Sequence, residues 1–363
     1  MTTIAPTPLA TAPTASDGPL VVDRLGVGQE TLWDRFVAER PEGTFFHTTA
    51  WLNSVEAAFG HEPVHLVARR GDRWVGLLPL FRVRSLLAGT LLVSVPYAIY
   101  GGVVADDQRA ADALLQAAQD DARAVGARCI DLRSARASFS ELPRTDRYVT
   151  FQRPLPDEAR EVLGWLPRKA RAVARNARNR HGLTVRFDDD QLPLVWRLYC
   201  AAIRRVASLN YPYRFFEELI RRSPGGHLVS MIYHRDRPVG GLVSFLYGQT
   251  VLPYFVGLDP VGQRLGVGNF IYLTLAERAV AMGYRVFDFG RSRRDNTGCV
   301  NFKRFQGFEP TPLQYQCVTL PGCTEPDLTP SNPRFSLARR VWPRLPLAVT
   351  RRLGSWLTRH VPG

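Results

Sequence analysis

Hydrophobic alternation and helical periodicity occur twice in the same order along the 363-residue chain. "HLVARRGDRWVGLLPLF" (65–81) and "HLVSMIYHRDRPVGGLVSFL" (227–246) each predict strand, polar turn and strand, with Val75-Gly76 answering Val239-Gly240. An apolar strand follows each hairpin, "TLLVSVPYAIYGG" (90–102) or "TVLPYFVGL" (250–258). Next comes a stretch of helical period, "DQRAADALLQAAQDDARAVGA" (107–127) or "GNFIYLTLAERAVAMGY" (268–284), and then a closing strand, "CIDLRS" or "VFDFGRS". A hairpin followed by a strand–helix–strand crossover predicts a mixed sheet with helices on its faces, an α/β chain of two like units. The pattern divides into a disordered lead (1–20), a first unit (21–155), a second unit (156–318) and a Pro/Arg-rich tail (319–363).

Charge narrows the class of partner. The formal net charge is +14, and Lys169 and Lys303 are the only lysines, so nearly all of it is arginine. Such a surplus favours phosphate-bearing partners: a nucleotide, nucleic acid or anionic lipid. Cys129, Cys200, Cys299, Cys317 and Cys323 are scattered and form no C-x-x-C pair. That pattern predicts neither a disulfide framework nor a metal site, and it fits a reducing cytoplasm. The first twenty residues lack the basic start and apolar core of a signal peptide. Residues 85–105 carry no charge and are nearly long enough to span a bilayer, but Gly89, Pro96, Gly101 and Gly102 favour two buried strands joined by a turn. The tail "RFSLARRVWPRLPLAVTRRLGSWLTRHV" (334–361) has no acidic residue. It reads either as an amphipathic segment for an anionic membrane surface or as short helices packed on the body.

Three stretches carry candidate chemistry. In "DPVGQRLGVGNF" (259–270), Gln263, Arg264, Gly266, Gly268 and Asn269 form a glycine-bearing loop entering a helix that begins near Asn269. It is a cradle where backbone amides meet a pyrophosphate, or only a turn that needs small residues. "LPRKARAVARNARNRHG" (166–182) predicts a helix with Arg168, Arg171, Arg175 and Arg178 on one face and Ala170, Val173 and Ala177 on the other; Lys169 lies within it. That row either binds phosphate or is a solvated charged face. In "FDFGRSRRDNTGCVNFKRFQGFEP" (287–310), Asp288, Arg291 and Ser292 fall at a strand end, and Lys303 lies between Phe302 and Phe305. A lysine among aromatics stabilises an oxyanion, moves a proton if desolvated, or is simply exposed beside a core pair. His47 is catalytic or a hydrogen-bonded structural residue, and Tyr97 and Tyr100 line or plug a cleft between the units.

The spacing Gln263-x-x-Gly266-x-Gly268 and the element order resemble the acyltransferase fold called GNAT, here as two units in tandem. "TFFHTTAW", "FGH", "YGG", "LPRKAR", "LPYF", "GNFIY", "FDFGRS" and "FKRFQGF", in that order over about 25–360, resemble the Fem aminoacyltransferases, in particular the subgroup associated with exosortase and exopolysaccharide systems. The resemblance implies acyl transfer to an amine by direct attack. By this resemblance Arg168, Lys169 and Arg171 would hold phosphate; the reading of the chain itself adds Arg175, His47, Tyr97, Tyr100, Tyr254 and Ser292 as acceptor-side candidates. Lys303 would act at the reacting carbonyl, with Asp288 and Arg291. Two departures from the family shape the expectation: no long coiled-coil insertion is present, and "QRLGVG" supplies a coenzyme A signature that Fem proteins often lack. The expected function is therefore an N-acyltransferase using acetyl-CoA or another acyl-CoA on a phosphate-bearing saccharide or cell-envelope precursor, cytoplasmic or peripheral at the inner membrane face. The alternatives are an aminoacyl-tRNA-dependent transferase on a peptidoglycan precursor, and a non-catalytic membrane scaffold. Neither DNA nor a metal is expected, and no general base is assigned.

Overall fold

The 227–247 hairpin shows how local chemistry sets the architecture. His227–His234 and Arg237–Tyr247 are joined through Arg235 and Asp236, both at positive φ (49° and 60°), the geometry that two-residue hairpin turns require. Thr250–Leu258 adds antiparallel to the hairpin, and the helix Val267–Ala281 crosses over to Val286–Asp288, which pairs parallel to it. Gln152–Pro154 closes one edge of this six-stranded sheet and Thr184–Phe187 the other. The coordinates are a computed structural model that describes residues 18–324, 326 and 332–362. The expected disordered lead therefore lies outside the described residues up to position 17, as do six positions of the linker into the tail.

The first unit repeats the plan with one change. Pro79 and Leu80 divide what would be one long strand into Arg73–Leu78 and Phe81–Ser85, and these belong to different sheets. A proline cannot donate to a ladder, so the break falls where the sequence removes a hydrogen bond. The uncharged stretch 85–105 yields Gly89–Ser94 and the two-residue strand Val104–Ala105, buried as expected but in separate sheets and joined by a long loop rather than a turn. Among the described residues no helix is long and apolar enough to cross a membrane.

The chain passes between the units more than once. Tyr315–Thr319 returns to the first unit and pairs antiparallel with Cys129–Leu132, while Gln152–Pro154 pairs with Val286–Asp288 of the second. One core cluster spans both: Phe45 stacks on Phe245 at 4.5 Å, and Trp51 meets Phe215 and Tyr254 edge-on at 5.3 and 5.4 Å. The tail follows the packed alternative on its inner side. Leu347–Thr358 buries Thr350, Gly354 and Thr358, with Thr358 Oγ1 donating to the Asn210 carbonyl at 2.9 Å.

Candidate active site

The parallel pair in the second sheet opens almost at once. Thr250–Leu258 is nine residues long, yet only Thr250 and Val251 pair with Val286 and Phe287. Beyond that point the strands part, and the helix Val267–Ala281 begins beside the far end of Thr250–Leu258: a Cβ at Gly268 would stand 3.6 Å from Leu258 Cδ1 and 3.8 Å from Phe302 Cζ. Its approach is built locally. Asp259 accepts from the Gly262 amide at 2.6 Å and Pro260 takes the first position, so Pro260–Arg264 is a short helix. Gly266 then adopts the left-handed conformation (φ 80°) and a second helix starts at Val267. The stretch 259–270 is therefore helix, glycine, helix rather than a loop, and the second helix begins two residues before Asn269. The Asn269 and Phe270 amides bond back to the Gly266 carbonyl. Helix geometry leaves the preceding Val267 and Gly268 amides without an intrahelical acceptor.

Gln263 and Arg264 are exposed at the rim, and Gly266 and Gly268 are half-buried. Asn269 is buried, and its Oδ1 accepts from Gln306 Nε2 at 2.6 Å, which braces Val267–Ala281 against the helix Thr297–Phe305. The Asn269 side chain thus holds the wall, and its amide is already engaged by the Gly266 carbonyl. Asn269→Ala would strand a buried amide donor, so a loss of about 1–3 kcal/mol of stability is expected in urea denaturation.

The Arg168–Asn179 helix differs from its sequence reading. Ala170, Ala174 and Ala177 are its buried residues, while Val173 is 36% exposed and reaches Gly266, where an added Cβ would lie 2.9 Å from Val173 Cγ1. Alanine at 170, 174 and 177 lets the helix sit close on Val267–Ala281, and the larger valine is displaced to the edge. The arginine row is partly engaged. Arg171 donates to the Gly164 and Leu166 carbonyls at 2.6 and 3.0 Å, and Arg178 pairs with Glu277 at 2.5 Å. Arg168, Lys169 and Arg175 are exposed. At the far end of this helix a groove of about 490 Å³ lies between Arg178, Phe187, Phe270, Thr274 and Arg278, a feature the sequence did not signal.

Asp288 and Lys303 come together where Val286–Asp288 ends. Asp288 is 2% exposed; its Oδ2 accepts from Tyr100 Oη at 2.8 Å and Gln152 Nε2 at 2.9 Å, and its Oδ1 accepts from the Gly290 amide at 2.8 Å. Burial pushes its carboxyl above the ordinary carboxylate range, against the pull of Gln152, Tyr100, the Gly290 amide and Lys303. Lys303 Nζ donates to the Gly290 and Arg291 carbonyls at 2.8 and 3.1 Å, and lies 4.8 and 5.4 Å from the ring centres of Phe151 and Phe289. An ammonium has three protons, so one remains beyond those two carbonyls. Burial lowers the Lys303 pKa to about 8, with Asp288 and Cys299 opposing the shift. Gly290 (φ 68°) makes the turn that aims its carbonyl at Nζ.

The other predicted residues surround this pair at varying depth. Arg291 stacks over Tyr148 at 4.8 Å and donates to Tyr315 Oη at 3.3 Å, and the buried Ser292 pairs across to Val149. Tyr100 also meets Thr150 Oγ1 at 2.6 Å. Tyr97 is buried, bonded through Oη to His61 Nε2 at 2.8 Å and to the Thr358 carbonyl at 3.1 Å, and its own carbonyl accepts from Tyr254 Oη. His47 is buried, and its Nδ1 accepts from the Thr44 amide at 3.2 Å and lies 2.8 Å from Thr44 Oγ1. That contact leaves the ring proton on Nε2, and burial lowers its pKa to about 4, against the Gly101 and Gly102 backbone. These are the contacts of a residue that caps a turn. Sequence reading missed Tyr148, Thr150, Gln152, Gln306 and Tyr315. Tyr148, Thr150, Gln152 and Tyr315 reach the cluster through pairings between distant segments, which leave no local pattern, whereas Gln306 lies at the end of the helix Thr297–Phe305 and reaches Asn269. No group of His, Cys, Asp and Glu that would hold a metal occurs among the described residues.

Residues 167–304 match the family model of the acetyltransferase (GNAT) domain. The second unit carries a GNAT acyltransferase domain. The match takes in the Arg168–Asn179 helix, the Gln263–Gly268 spacing and Lys303. No curated protein sequence matches the chain. Among solved structures, FemX is 15% identical, with 87% of this chain and 100% of that one covered at a TM-score of 0.64. A tandem GNAT protein from the clavulanic acid biosynthesis pathway is 14% identical over 83% and 98% of the two chains (TM-score 0.55), and L-PGS from Bacillus licheniformis 12% identical over 87% and 97% (TM-score 0.52). At such identities the likeness is one of fold. The resemblance to Fem proteins and to tandem GNAT units thus agrees with the architecture, and the GNAT domain is the part that its own sequence identifies.

Proposed function

We propose that the GNAT domain binds an acyl-CoA in the gap between Thr250–Leu258 and Val286–Asp288 and transfers its acyl group to an amine of a phosphate-bearing cell-envelope or saccharide precursor. The observation that carries this reading is the start of the Val267–Ala281 helix at the open end of that gap, where the Val267 and Gly268 amides have no intrahelical acceptor and Gly268 sets no side chain between them and Leu258 and Phe302. Two amides at the positive end of a helix dipole are a pyrophosphate site. The acceptor nitrogen attacks the thioester carbonyl, a C–N bond forms, the C–S bond breaks, and the thiol leaves as the nitrogen loses its proton. The third Lys303 proton would meet the carbonyl oxygen as it becomes negative, with Asp288, Tyr100 and Gln152 holding the strand end in place. Exposed Arg168, Lys169 and Arg175 supply cations for the acceptor's phosphate.

The lowered pKa gives a direct test. A cationic Lys303 is lost as pH rises through about 8, so kcat should fall on that limb. Lys303→Arg, which stays charged, should remove the limb from the pH profile. A wild-type kcat that keeps rising through that range contradicts the role, because it would make neutral Lys303 the active form. A second reading, transfer from aminoacyl-tRNA, is favoured by the FemX-like fold together with the same exposed cations.

A further inference from the structure

The helix Leu347–Thr358 presents an apolar outer side. Thr350, Gly354 and Thr358 pack inward, whereas Val349, Leu353 and Trp356 are 39, 44 and 49% exposed at the i, i+4, i+7 spacing of a single helix face. A second apolar element lies next to it. The turn after Phe81–Ser85 carries Leu86 and Leu87, 69 and 56% exposed. Ser85 Oγ donates to the His360 carbonyl at 2.6 Å, His360 Nδ1 lies 3.1 Å from the Arg84 carbonyl, and the His360 ring is 5.3 Å from that of Trp356. Two segments far apart in sequence thus bring leucines and a tryptophan to one place on the surface.

The tail that carries this helix has charge of one dominant sign. Seven arginines lie between Arg334 and Arg359, and residues 332–362 contain no aspartate or glutamate. The carboxylate at the hairpin, Glu62, already pairs with Arg82 at 3.1 Å and Arg84 at 3.9 Å. Polyanionic RNA would complement the positive charge but would leave the exposed leucines in water. A bilayer satisfies both, since leucine enters the acyl boundary, tryptophan rests at the interface, and guanidinium groups pair with lipid phosphates.

We propose that this face, formed by the Leu86-Leu87 turn and the Val349, Leu353 and Trp356 stripe, docks the protein on an anionic lipid surface. The docking face is joined to the site through the end of the same tail: the Pro362 carbonyl accepts from the Tyr97 amide at 2.9 Å, and the loop then runs on to Tyr100 at Asp288. The proposal does not depend on which donor the GNAT domain uses.

The test is co-sedimentation of the full chain with vesicles of phosphatidylcholine, pure or with about one-third phosphatidylglycerol. The wild type is expected to sediment with the anionic vesicles and to be released by salt. Leu86→Ser/Leu87→Ser and Leu353→Ser/Trp356→Ser should each reduce partitioning by about tenfold or more. These side chains are exposed, so unchanged Tm and unchanged acetyl-CoA binding should accompany the loss, which separates this result from any failure of the donor assignment. Equal binding of wild type and variants, binding without preference for the anionic vesicles, or a shift by tRNA with no vesicle binding would each overturn the proposal.

Discussion

Replacing Lys303 with alanine is expected to lower kcat about 100-fold while leaving the affinity for acyl-CoA within a few-fold of wild type. The size follows from the setting. Nζ is held by the Gly290 and Arg291 carbonyls between the Phe151 and Phe289 rings, where a positive charge is poorly screened and worth more than in water. A donor fixed before the reaction stabilises charge that develops only in the transition state, so its loss appears in kcat rather than in binding. Alanine also strands two carbonyls and deprives Asp288 of its nearby cation, and some loss of stability should accompany the loss of rate. Partial recovery of kcat by added alkylamine, with no change in Tm, would separate the two effects. Unchanged steady-state turnover would remove Lys303 from the chemistry.

Much of the architecture was legible because it rests on period and punctuation. The paired hairpins, the apolar third strands, the crossover helices and the closing strands follow from alternation, helical spacing and Gly or Asp at the turns. The Asp259-Pro260 start of the short helix was also written in the sequence, as a cap followed by proline, but the glycine spacing drew attention to a loop instead. What the sequence did not disclose was the pairing of distant segments. Nothing local to Gln152 announces that it will reach Asp288, 136 positions away, and Tyr315 reads as an ordinary strand residue until Tyr315–Thr319 joins the first unit. Arginine periodicity likewise marked a cationic face without revealing that Arg171 would close the preceding helical turn or that Arg178 would find Glu277. The site's outline was therefore readable from the chain, whereas the hydrogen bonds that fix Asp288 and Lys303 depend on the tertiary fold.

The second large effect concerns the helix start. Gly266→Asp would be ambiguous, because Gly266 has φ 80° and any side chain there is strained as well as pressed on Val173. Gly268 has no such constraint: a Cβ there meets Leu258 and Phe302 at ordinary contact distances of 3.6 and 3.8 Å. Gly268→Ala should therefore fold and bind nearly as wild type. Gly268→Asp places a carboxylate where a pyrophosphate would lie, and repulsion at about 4 Å in a partly desolvated site costs several kcal/mol, so affinity should fall by at least about 100-fold.

The most direct measurement is calorimetric titration of acetyl-CoA and longer acyl-CoAs into the wild type, Gly268→Ala and Gly268→Asp. Saturable binding by the first two and its loss in the third would place the donor's pyrophosphate at the Val267 and Gly268 amides. Equal binding by all three, or no binding by the wild type to any acyl-CoA, would contradict an acyl-CoA donor at this helix and leave charged tRNA as the reading to pursue.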